Sequence, residues 1–358
     1  MPPLTERMQT FLRADVQGMH AYAVQDSRGL IKLDAMENPF ALPDALRAEL
    51  GARLAEAAIN RYPAQRAEDL RLVLKTHVDL PEGFELMLGN GSDELISLLT
   101  LAADLPGNTV LAPVPGFVMY EMSAKLQGIA FAGVPLTADF ELDREAMLAA
   151  IDKHRPAVIW LAYPNNPTAN LWDAATIEAI VEAAPGLVVM DEAYQPFAAR
   201  DSMALMKKHE HVLVMRTLSK FGLAGVRIGY LMGRAALIGE IDKLRPPYNI
   251  SVLNAEAGLF ALAHADEYAR QAQAIRNERG HVAAALAQLP GVKAFPSEAN
   301  MILVRVPDAA RCFAGMKAKG VLIKNVSGLH PLLANCLRLT IGTAEENAAM
   351  LAALKESL

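Results

Sequence analysis

Cysteine is almost missing from this chain. Cys312 and Cys336 are the only two in 358 residues, and neither has a close histidine or cysteine partner. That excludes a disulfide framework and a zinc motif of familiar spacing, and it fits a reducing cytoplasm. Positive charge is not in excess either. The net charge is −6 and no basic tract is present, which argues against a nucleic-acid partner. No apolar run approaches the roughly 20 residues of a membrane helix. The first sixteen residues carry charges throughout, unlike a signal peptide. No strand-like run is followed by G-x-G-x-x-G, so a dinucleotide-binding dehydrogenase is poorly supported. Internal repeats and low-complexity tracts are also lacking.

Apolar residues are plentiful at 53%, enough to fill a sizeable core. The length is that of one large and one smaller domain. From about residue 84, short β-rich runs alternate with longer helical stretches. The runs are Phe84–Leu88, Thr109–Ala112, Ile129–Val134, Ala157–Ala162, Leu187–Met190, His211–Met215 and Arg227–Met232. Several are continuously apolar, as in strands buried on both faces of a mainly parallel sheet. The expected fold is therefore α/β, a mainly parallel sheet sandwiched by helices. Residues 241–280 read as long helix interrupted at Pro246 and Pro247. Beyond them, strands near Val292–Phe295, Met301–Val306, Val321–Lys324 and Leu337–Ile341 alternate with helices, forming a second, α+β lobe. The first 60 residues lack a sheet-like series and are expected to join that lobe. The expected division is 61–265 for the large domain, and 1–60 with 266–358 for the small one.

In such sheets ligands sit beyond the carboxyl ends of strands, so the polar residues closing these runs are site candidates. Lys220 follows the apolar run His211–Met215, with Thr217 and Ser219 before it and Arg227 after it. A lysine amine can bond the aldehyde of pyridoxal phosphate, while hydroxyls and a guanidinium hold its phosphate. Asp191 closes another buried run. It could pair with a protonated pyridine nitrogen, and Tyr194 could reach the ring hydroxyl. Asn166, restrained by Pro167, could donate to the same ring oxygen. Gly89–Glu94 opens a helix, with Ser92 or Asp93 as N-cap and free amides forming an anion site. Each feature also has a plain use: a capped helix, an Asn-Pro turn, a capping aspartate, a solvated lysine. Their joint occurrence in order at strand ends favours the functional use.

This ordered set resembles the fold-type I pyridoxal-phosphate aminotransferases over essentially the whole chain. The matching segments are Lys32–Pro39, Arg61–Pro63, Gly91–Glu94, Pro115–Phe117, Asn165–Thr168, Asp191–Tyr194, Thr217–Lys220, Ser297–Asn300 and Cys336–Arg338. The resemblance implies pyridoxal 5'-phosphate as cofactor, with Lys220 as Schiff-base lysine and proton carrier and Asp191 opposite the pyridine nitrogen. It implies Asn166 and Tyr194 at the ring oxygen and Phe117, where tyrosine is usual, stacked on the ring. Ser92, Asp93, Thr217, Ser219 and Arg227 would bind the phosphate, joined by Tyr62 from the partner of a homodimer. Substrate would meet Arg338, Lys324, Asn300 and the partner's Tyr22. The narrower motifs imply transamination between histidinol phosphate and 2-oxoglutarate in histidine biosynthesis. The alternative is aromatic amino-acid transamination or amino-acid decarboxylation on the same scaffold. Three departures stand out: Ala169 where glycine is frequent, a Lys220–Arg227 interval one residue short, and Lys324 where a second arginine is common.

Overall fold

The computed structural model describes residues 3–19 and 25–358. Its strands in chain order are β1 (Ile31–Lys32), β2 (Phe84–Asn90), β3 (Thr109–Val114), β4 (Ala130–Pro135), β5 (Val158–Ala162), β6 (Leu187–Asp191) and β7 (Val212–Thr217). They continue with β8 (Ile228–Arg234), β9 (Lys293–Ala294), β10 (Met301–Arg305), β11 (Val321–Leu322), β12 (Lys324–Asn325) and β13 (Cys336–Thr340). Seven of them form one sheet in the order β2-β8-β7-β6-β5-β3-β4. Within it only β8 runs against its neighbours; β3 to β7 are mutually parallel. The expected mainly parallel α/β sheet is therefore present.

The continuous apolar runs follow from helices on both faces. In β5, Val158, Trp160 and Ala162 face one layer with Leu95, Leu99 and Ile238. Ile159 and Leu161 face the other, with Met147 and Ile177. A strand with two dry faces has no position for a solvated side chain. Several helices begin where the sequence offers a side-chain acceptor: Asp173 caps Ala174–Ala183, Ser251 caps Val252–Ala263, and Thr343 with Glu346 forms a capping box for Ala344–Ser357.

A second, antiparallel sheet has the order β12-β13-β10-β9, and β1 pairs in parallel with β11. The N-terminal segment thus joins the C-terminal half of the chain through Ile31 and Lys32. Several boundaries differ from the expectation. The run Val321–Lys324 is two strands in two sheets, because the chain crosses from β1 to β13 at Ile323. The strand expected from Arg227 starts at Ile228, because Arg227 takes a left-handed conformation, φ 57°. The expected long helix is three, Ala235–Asp242, Val252–Ala263 and Ala265–Leu286, broken at His264 as well as at the prolines.

Candidate active site

The carboxyl ends of β5, β6 and β7 and the turn after β2 converge on one cavity of about 130 Å³. Ser92, Asp93, Phe117, Asn166, Asp191, Tyr194, Thr217, Ser219, Lys220 and Arg227 all line it, together with Met36, Ala162, Pro164 and Ala193. Ten side chains expected from sequence are thus brought together from segments spread over 136 positions (92 to 227).

One wall gathers groups that could cradle an anion. The helix Ser92–Ala102 begins directly after Gly91, whose backbone (φ 79°, ψ 168°) is its N-cap. The expected cap by Ser92 or Asp93 is therefore corrected: both lie inside the first turn, and no side chain caps the helix. Asp93 instead accepts from Arg227 Nη2 at 3.2 Å, and Arg227 Nη1 stands 3.5 Å from Ser219 Oγ. The guanidinium packs close against Gly91, and a Cβ there would overlap it, with Arg227 Cζ at 2.9 Å. The short Lys220–Arg227 interval is absorbed by a π turn over Ser219–Leu223 and a 3-10 turn over Ala224–Val226. Arg227 is consequently not displaced from the cradle. Thr217 Oγ1 donates to Ile228 O at 3.0 Å and accepts from Ser219 N–H at 3.1 Å, tying the end of β7 to the start of β8.

Opposite lies Asp191, 4% exposed at the end of β6. Its Oδ2 accepts from Tyr120 Oη at 2.6 Å and its Oδ1 from Ala193 N–H at 3.1 Å. Burial pushes its carboxyl up to about 6, against the lowering pull of the Tyr120 hydrogen bond. The Lys220 amine is lowered to about 8, chiefly by burial and secondly by the nearby Arg338. Its Nζ donates to Ala35 O at 2.9 Å. Burial raises the Tyr194 phenol well above its usual range.

Asn166 Oδ1 accepts from Arg338 Nη1 at 2.8 Å, and Arg338 Nη2 donates to Asp34 O at 2.7 Å. The turn carrying Asn166 is anchored by Asn165, which donates to Pro115 O and Thr168 Oγ1. Ala169 has φ 65°, the left-handed region where glycine is favoured, so the departure from glycine keeps the same turn at a cost in strain. Lys324 stands directly across from Arg338 in the β12–β13 pair, on the same face of that sheet. Asn300 does not line the cavity. It is fully buried and donates to Met36 O at 3.0 Å, so it holds the segment that roofs the site. Tyr62 is 79% exposed and stacks on Tyr248, with ring centroids 4.4 Å apart, away from this cavity. Tyr22 lies outside the described residues.

Sequence reasoning missed three contributors. Tyr120 lies three residues past Phe117, one helical turn on, and that spacing was its only signal. The carbonyls of Asp34, Ala35 and Met36 engage Arg338, Lys220 and Asn300 in turn. Behind the cavity, buried Glu192 and Arg216 form an ion pair, Nε to Oε2 2.8 Å, joining the ends of β6 and β7.

The donor set fits pyridoxal phosphate: an amine for the aldehyde, a dry carboxylate for the pyridine nitrogen, and a guanidinium, two hydroxyls and a helix N-terminus for the phosphate. A mainly parallel α/β sheet with this site at its strand ends defines a pyridoxal-phosphate-dependent enzyme. The profile of aminotransferase classes I and II matches residues 28–354, and the chain belongs to that family. It is 67% identical to a histidinol-phosphate aminotransferase of Methylibium petroleiphilum, over 99% of this chain and 96% of that one. It is 64% identical to one of Polaromonas naphthalenivorans, over 99% and 98%. The histidinol-phosphate aminotransferase of Sinorhizobium meliloti, solved in complex with pyridoxal 5'-phosphate, superposes with a TM-score of 0.79 at 25% identity, covering 91% of this chain and 90% of that one.

Proposed function

We infer that this chain transfers the amino group of histidinol phosphate to 2-oxoglutarate, in histidine biosynthesis, with pyridoxal 5'-phosphate as cofactor. The observation that carries the reading is Lys220 sharing one small cavity with the buried Asp191 and the Arg227 cradle. The identity of 67% over nearly the whole length supports the substrate.

Bound there, the cofactor supplies an aldehyde to take the amino group and an electron-withdrawing ring. Ser92 and Asp93 amides, Thr217, Ser219 and Arg227 would hold its phosphate, Asn166 and Tyr194 would contact its ring oxygen, and Phe117 would pack against the ring. Asp191 would pair with the pyridine nitrogen and favour its protonated form. The cation it faces then favours its ionised form, opposing the upward push of burial. Lys220, lowered to about 8, is partly neutral near pH 7 and can serve as a base. Its Nζ takes the proton from the carbon bearing the donor's amino group. It delivers a proton to the matching carbon when 2-oxoglutarate becomes glutamate. Arg338 grips the substrate anion by exchanging its bond to the Asp34 carbonyl for a charged one. Lys324 adds a point charge beside it, suiting a pocket that must accept a phosphate in one half-reaction and a carboxylate in the other.

We further propose a cytoplasmic homodimer, in which Tyr62 and Tyr22 complete the partner's site. Exposed Ile59, Tyr62, Tyr248 and Leu253 supply apolar surface for such a contact. Among the described residues no helix is long and apolar enough to cross a membrane.

The test is the absorption spectrum of the purified protein with pyridoxal phosphate, before and after histidinol phosphate. A visible band that gives way to the shorter-wavelength band of the aminated cofactor supports cofactor and donor together. A band that moves only with phenylalanine, or with release of carbon dioxide, replaces the donor or the reaction. No band at all removes Lys220 from its role.

A further inference from the structure

Tyr62 and Tyr248 are 79% and 49% exposed, yet their rings stack, with 4.4 Å between centroids and 15° between planes. Tyr62 comes just before Pro63, the N-cap of the helix Ala64–His77, and belongs to no helix or strand itself. Tyr248 is held from behind. Its φ of 60° is left-handed, which a bulky aromatic residue takes only where its surroundings fix it. Pro246 and Pro247 stiffen the chain before it. Arg245 Nη1 donates to Asn249 Oδ1 at 3.2 Å and Arg245 Nε to Asp242 Oδ1 at 2.6 Å, closing the turn around it. Asn249 Nδ2 donates to Leu88 O at 3.2 Å and to Glu94 Oε2 at 2.6 Å. Glu94 lies in the first turn of the helix Ser92–Ala102, beside Asp93. The platform under the Tyr62 ring is therefore built on the same helix turn that lines this chain's own cavity.

We propose that Tyr248 is a positioning residue, which presents the Tyr62 ring so that its hydroxyl meets the cofactor phosphate in the partner's site. The inference rests on the reading above in which Tyr62 completes that site. A tyrosine this exposed samples several rotamers when its ring is free, and a hydroxyl that must first be ordered binds more weakly. The stack removes that freedom before the phosphate arrives. An aromatic pair of this kind is worth a factor of about two to ten in an equilibrium constant. The left-handed backbone at Tyr248 has a cost that asparagine or glycine would not incur, and the ring it carries offsets that cost only by what it holds. Because Asn249 anchors the platform to Glu94, the helix turn at each chain's cavity also supports the tyrosine that serves the other chain.

The experiment is a double-mutant cycle read by the dissociation constant of pyridoxal phosphate, with sedimentation velocity to establish that each protein is a dimer. Tyr248→Asn removes the ring but suits the left-handed backbone, Tyr248→Phe keeps the stack, and Tyr62→Phe removes the hydroxyl. In Tyr248→Asn the dissociation constant rises about two- to tenfold, and Tyr248→Phe restores the wild-type value. Tyr62→Phe raises it about ten- to a hundredfold, as expected for one hydrogen bond to a charged group. Added to Tyr62→Phe, Tyr248→Asn brings no further rise, because the ring acts only through the hydroxyl that is already gone. Wild-type affinity in Tyr248→Asn overturns the proposal. So does an undiminished rise in the Tyr62→Phe background, which would show that the ring supports the fold and not Tyr62. Should Tyr248→Asn not assemble, Tyr248→Leu supplies apolar bulk with no ring to stack, and the same rise and the same cycle are expected of it. A wild-type protein that binds the cofactor fully as a monomer, or a Tyr62→Phe dimer of unaltered affinity, would instead sink the shared-site reading, and this role with it.

Discussion

Replacing Gly91 by alanine tests the anion cradle without substituting any residue that would contact the cofactor through its own side chain. Two effects follow from the geometry. The backbone at φ 79°, ψ 168° belongs to a region essentially open only to glycine, and forcing an L-residue there costs about 1–3 kcal/mol of stability. The new Cβ also overlaps the Arg227 guanidinium. That group is the far end of a flexible side chain, so it swings aside and the fold survives. In doing so it gives up its contacts with Asp93 and Ser219 and its place in the cradle. Loss of one charged hydrogen bond to a phosphate weakens binding by about 1.5–3 kcal/mol, or roughly ten- to a hundredfold. The assay is equilibrium dialysis of pyridoxal phosphate against wild type and Gly91→Ala, beside a thermal melt of each apoprotein. The melt falls by a few degrees and the dissociation constant rises at least tenfold. Wild-type affinity in a variant that melts lower would refute the cradle, since the strain would then have no bearing on the phosphate.

Two further outcomes can be checked on the apoprotein. Below pH 8 the folded chain carries a buried Lys220 ammonium, whose proton the unfolded chain binds more tightly, because the folded value of about 8 lies below the usual 10.5. Stability therefore rises between pH 8 and 10.5, by at most about 3 kcal/mol, and Lys220→Met removes that rise. In urea melts the variant is the more stable protein at pH 7, and the gap closes by pH 10; a gap independent of pH contradicts the burial of the charge. Arg216→Met leaves Glu192 buried and unpaired, at a cost of about 3–5 kcal/mol in the same melts. Adding Glu192→Gln should return much of that loss, and a double variant as unstable as the single one would show that the pair is not what joins β6 to β7.

Most of the site residues that sequence reasoning found close a short apolar run or follow one within a few positions. Asp191 and Thr217 stand where a buried strand ends, and Asn166, Lys220 and the Gly91–Glu94 turn follow such ends within a few positions. Strand ends are legible because dry faces demand unbroken apolar residues, and the first polar residue breaks the pattern. The turns themselves were less legible. The N-cap is Gly91, and the π turn after Ser219 that returns Arg227 to the cradle has no periodic signature.

The sequence by itself determined the alternation of strand and helix, the parallel character of the sheet, and the order of the polar groups that follow its strand ends, because these depend on residues within a few positions of one another. Only the tertiary structure decided which distant groups meet. Tyr120 reaches Asp191 across 71 positions, Asn166 meets Arg338 across 172, and Lys220 finds Ala35 across 185. Those contacts hold the buried groups of the site in place. They arise from the packing of layers, where a buried polar atom must find whatever partner the fold brings beside it, and no local pattern encodes which one that is.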